Sequence, residues 1–89
     1  MAANMDDINR WLENRPKDAK WMVVICDTFE YDDYPCYFSD PQACLNKIAA
    51  AQRGENMMRL MEVYDLEGDI EAQKQERRAM HPPISGKPA

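Results

Sequence analysis

The chain has 89 residues, a formal net charge of −5, 45% hydrophobic and 30% charged side chains. That length suits one domain and is too short for two, and the apolar content separates it from disordered chains. The acidic balance argues against direct nucleic-acid binding, which rests on Lys and Arg at phosphates, and against docking on an anionic membrane.

Asn4 to Asn14 reads as a short helix. Asn4 can cap it, Asp6 and Asp7 suit its positive end, and Met5, Ile8, Trp11 and Leu12 share one face. It is expected to lie as a lid on the core, docked by Trp11, and Pro16 closes it. Trp21 to Cys26 is the clearest strand. Its run Trp-Met-Val-Val-Ile-Cys is apolar throughout, the pattern of a strand covered on both faces, and Asp27 to Phe29 could extend it. Glu30 to Asp33 reads as a turn. Tyr34 to Phe38 follows as a second strand, kept at an edge by Pro35, which has no N–H for a ladder. With Phe29 facing Tyr34 across this hairpin, Cys26 would face Tyr37, and Cys36 would point to the opposite face.

Ser39-Asp40-Pro41-Gln42 is a helix start, with Ser39 or Asp40 as cap and Gln42 able to close a capping box. The stripe Ala43, Cys44, Leu45, Ile48, Ala49 continues this helix and Gly54 stops it. Met57 to Leu66 fits either period. A strand is preferred, because a lone hairpin needs a third strand to be stable. Asp69 to Met80 reads as a final helix with a thin apolar face, capped by Asp69 and ended by His81-Pro82-Pro83. The resulting fold class is α+β, in the order α-β-β-α-β-α. A three-stranded antiparallel sheet of order 2-1-3 carries the helices, with the Trp21–Cys26 strand at its centre. Residues 1–80 form the domain and 81–89 a Pro-rich flexible tail.

The motifs exclude more chemistry than they suggest. Cys26, Cys36 and Cys44 form no C-x-x-C, and His81 is the single histidine, so neither a zinc set nor an activated thiol is expected. An odd cysteine count with no basic-then-apolar leader and no bilayer-length apolar run predicts free thiols in the cytoplasm. Three glycines make no phosphate-binding loop. No cofactor, metal or catalytic residue is assigned, and an enzyme is not expected.

One stretch stands out. No basic residue lies between Lys20 and Lys47, while Asp27, Glu30, Asp32, Asp33 and Asp40 do, interleaved with Phe29, Tyr31, Tyr34, Tyr37 and Phe38. Acids and aromatics in a turn are commonly no more than a solvated hairpin with half its rings in the core. The alternative is a contact surface, since exposed Tyr offers large area at low entropic cost and an acidic rim steers a basic partner. Asp27, Phe29, Glu30, Tyr31, Asp32, Asp33, Tyr34 and Tyr37 are the candidate partner-binding residues. The spacing of the acids does not match an EF-hand loop.

The string Val24-Ile25-Cys26-Asp27-Thr28-Phe29-Glu30-Tyr31-Asp32-Asp33-Tyr34-Pro35 resembles a segment of small uncharacterised bacteriophage and prophage accessory proteins. Met61-Glu62-Val63-Tyr64-Asp65-Leu66 and Gln73 to Arg78 add to the likeness, which spans roughly residues 21–80. The resemblance brings no catalytic residue. It implies a protein-binding module of a host cytoplasm that blocks a host or phage protein with a basic surface, such as a defence or nucleic-acid-binding complex. Two other readings stay open: an oligomeric binder of a small molecule such as a nucleotide signal, and a structural or scaffolding subunit. Any homodimer is expected through the C-terminal helix.

Overall fold

A computed structural model describes residues 4–76 and 79–83. The elements are α1 (Met5–Glu13), β1 (Trp21–Asp27), β2 (Asp32–Phe38), α2 (Pro41–Gln52), a short turn of 3-10 helix (Glu55–Met57), β3 (Met58–Asp65) and α3 (Ile70–Gln75). The strands make one antiparallel sheet of order β2-β1-β3, as expected, with Pro35 on the edge strand β2. The segment that fits both periods is strand β3.

The caps follow the sequence. Asn4 Oδ1 accepts from Asp7 N, Asp40 Oδ2 from Ala43 N and Asp69 Oδ1 from Ala72 N. The box between Ser39 and Gln42 does not form, because Asp40 supplies the cap and the Gln42 amide instead donates to Asn46 Oδ1. Gly54 ends α2 in the left-handed region at φ 76°, where an L side chain would be strained.

β1 explains the layering. Met22, Val23, Val24 and Ile25 are all fully buried, and successive side chains face opposite sides. Met22 and Val24 pack with Ile8, Leu12, Tyr64, Leu66 and Ala79. Val23 and Ile25 pack with Cys44, Ile48, Ala51, Met58 and Val63. The core is thus two apolar clusters, one on each face, under α1 and α2 respectively. Ile8 and Leu12 carry α1, while Trp11 is only partly buried against the same cluster. β3 also reaches both faces, with adjacent Val63 and Tyr64 on opposite clusters, and carries a bulge: Val24 pairs with Glu62 and Ile25 with Leu60, leaving Met61 extra.

The expected hairpin is corrected in both turn and register. The hairpin loop is Thr28–Tyr31, with Asp27 and Asp32 the last strand pair, so the turn lies two residues before Glu30–Asp33. Tyr34 therefore pairs with Ile25, and Cys26 with Asp33 instead of Tyr37. Asp27 causes the early turn: its carboxylate accepts from Phe29 N at 2.8 Å and its carbonyl from Tyr31 N at 2.5 Å. Because the register moves by an even number of residues, Cys36, which pairs with Val23, still points away from the face of Cys26.

The last helix does not run to Met80. It has six residues, and Glu76 is already extended. Arg77 and Arg78, read as part of that helix, lie outside the described residues. Beyond them the chain pairs with the outer edge of β3. Val63 N donates to Ala79 O at 2.8 Å and His81 N to Val63 O at 2.9 Å, forming a parallel bridge between Val63 and Met80. Ala79 and Pro83 are buried. A helix continued to Met80 would leave the Val63 amide and carbonyl on an unpaired edge, and that cost outweighs modest helix propensity. Of the expected tail, residues 81–83 are held here and 84–89 lie outside the described residues. No helix among the described residues is long and apolar enough to cross a membrane.

Candidate functional site

The acidic, aromatic stretch divides in the structure. Tyr37 lies within the fold: its hydroxyl donates to Trp11 O at 2.6 Å and its ring packs on the α1-side cluster. Tyr34 packs on the opposite cluster, under α2. Burial raises the hydroxyl pKa of both. Asp33 is half-buried and pairs with Cys26 across the strands, where burial and the Asp33 carboxylate raise the thiol pKa. These three candidates therefore serve the fold.

Asp27, Phe29, Glu30, Tyr31 and Asp32 do gather at one end of the sheet. Phe29 is 72% exposed and Tyr31 66% exposed. Tyr31 sits in the left-handed region at φ 61°, where a bulky L residue costs roughly 1–2 kcal/mol. The loop is thus closed at the expense of local strain, and its aromatic is held outward.

A second loop lies against the first. After Gly54, Asn56 and Met57 both adopt positive φ, at 51° and 61°. Thr28 ties the loops together: its N and its Oγ1 both donate to Met57 O, at 2.8 and 2.9 Å. Met57 is 55% exposed, so the tip carries three large apolar side chains, Phe29, Tyr31 and Met57. Around them stand the carboxylates of Asp27, Glu30 and Asp32. Arg53 is occupied by Glu55 at 2.6 Å.

Met57 and Thr28 were not legible as site residues. Gly54-Glu55-Asn56 carries a usable signal, since Gly and Asn are the residues that tolerate left-handed backbone, but nothing local joins that turn to a hairpin some thirty positions away.

Reactive chemistry is sparse. Cys26 and Cys44 are buried free thiols, Cys36 is a partly buried one, and desolvation pushes all three up, Cys44 to about 11. A thiol so shifted is a poor nucleophile near neutrality. Tyr64 is buried with its hydroxyl on Glu62 Oε1 at 2.5 Å, and burial and that carboxylate both raise its pKa. Among the described residues no group of three or more His, Cys, Asp or Glu could hold a metal ion. Compared with known proteins, the chain matches no family model, no curated protein and no solved structure.

Proposed function

We propose that this chain is a protein-binding module that docks by its sheet tip, with Phe29, Tyr31 and Met57 as anchors and Asp27, Glu30 and Asp32 as rim. One observation carries the reading: three large apolar side chains are exposed on two loops pinned to each other through Thr28. Contiguous exposed apolar surface rimmed by polar groups marks interaction sites, and anchors held rigid lose little entropy on binding. The acidic rim favours a basic partner and speeds encounter with it. With the likeness to phage accessory proteins, the function is occupation of a basic surface on a host protein, which blocks that surface.

The test is comparative capture from host-cell extract with quantitative mass spectrometry. Phe29→Ser with Tyr31→Gly should lose the captured protein, and Glu30→Lys with Asp32→Lys should lose it most at low salt. All four residues are exposed, so folding is spared. Undiminished capture by the aromatic variant refutes the tip as the docking surface, and undiminished capture by the charge-reversed variant refutes the basic partner.

A further inference from the structure

α1, Arg15 and α3 line an open groove of about 330 Å³. This is at the small end of the roughly 300–1,000 Å³ typical of small-molecule sites. Its apolar lining is the half-buried Ile70, beside the buried Leu12. Lys74 and Arg15 bring cations to it, and both are held in place. Lys74 Nζ is 2.9 Å from Asn9 Oδ1 and 3.0 Å from Glu71 Oε2, and Arg15 Nη1 donates to Leu12 O at 2.6 Å. That single bond leaves the guanidinium with its remaining N–H donors. Glu13 lines the same groove, and among the described residues no hydrogen bond or ion pair engages it.

Charge narrows the ligand class. Glu71 balances Lys74, so Arg15 and Glu13 are left as one available cation and one available anion. A polyanion would meet two carboxylates, and a simple amine would meet two cations. A small zwitterion with a hydrocarbon side chain satisfies every wall. We propose that this groove binds a free α-amino acid with an aliphatic side chain. Its carboxylate lies on the Arg15 guanidinium, where a paired hydrogen bond is strongest. Its ammonium lies on Glu13, and its side chain packs on Ile70. This site is independent of the tip, and its failure would leave the docking proposal untouched.

Titration of the full chain by amide NMR provides the test, with L-leucine, L-leucinamide (ammonium only) and N-acetyl-L-leucine (carboxylate only) as probes. Leucine should give saturable shifts at Asn9, Leu12, Ile70 and Lys74, and each half-charged analogue should bind about tenfold more weakly. Arg15→Gln should weaken leucine and N-acetyl-leucine while leaving leucinamide unchanged. Glu13→Gln should weaken leucine and leucinamide while leaving N-acetyl-leucine unchanged. Both positions are exposed, and the rest of each spectrum reports the fold. The proposal is overturned by the absence of saturable shifts up to on the order of 10 mM, the weak limit of useful affinity. It is equally overturned by three probes of equal affinity, or by variants that do not separate the two charges.

Discussion

Tyr31 joins strain and exposure in one residue. Its left-handed backbone costs what glycine would not, so Tyr31→Gly should raise stability by about 1 kcal/mol while removing an anchor from the tip. A higher urea midpoint with weaker partner capture is the expected pair of results. Tyr37 is the opposite case, since Tyr37→Phe deletes only the bond to Trp11 O and should cost about 1 kcal/mol with capture unchanged. Both tyrosines lie in the stretch marked by composition alone. Sequence identified that stretch but not which rings leave the core, because the Asx turn at Asp27 starts the loop two residues early and so takes Phe29 out of the strand. Cys44 gives a pH prediction. Burial raises its folded pKa from 9.0 to about 11, so the unfolded thiol ionises first, and between those values the unfolded state binds fewer protons. Stability should therefore be complete below pH 9.0 and decline as pH rises toward about 11. Urea midpoints across that range, with Cys44→Ala flattening the decline, check the sign.

Among the elements, α3 shows where local reading gives way to tertiary demand. Its cap was legible at Asp69, and its end was not. Residues 70–80 are charged and helix-compatible, and only the edge of β3, supplied by a remote part of the chain, favours an extended segment there. Gln73 is part of the same arrangement. It is 4% exposed, and its side-chain amide accepts from Asp65 N at 2.7 Å while donating to Asp65 O at 2.9 Å and to Asp69 O at 3.2 Å. A side chain thus serves Asp65 as a neighbouring strand would, and residues 79–81 serve Val63 in the same way. Gln73→Ala should leave the Asp65 amide and carbonyl without these partners and cost about 1–3 kcal/mol. Gln73→Glu should cost more, because a carboxylate would then face the Asp65 carbonyl. Urea denaturation of the two variants decides the order.

At the scale of the whole molecule, the apolar run of β1 made the sheet order and the two-sided cover legible, since such a strand is stable only between layers. Contacts between loops distant in sequence, such as Thr28 with Met57, were not legible, because no local pattern encodes them. Deleting residues 77–89 should strip the Val63 edge and uncover the surface that Ala79 and Pro83 bury. Sedimentation should then show stronger self-association than the full chain has. The centrality of β1 also orders events in time. During synthesis β1 leaves the ribosome well before β3, whose Asp65 pairs with Trp21. At ordinary elongation rates the most apolar segment waits some seconds for its second neighbour. Nascent chains stalled before β3 emerges should therefore be bound by chaperones, and release should coincide with the arrival of Val63 and Tyr64.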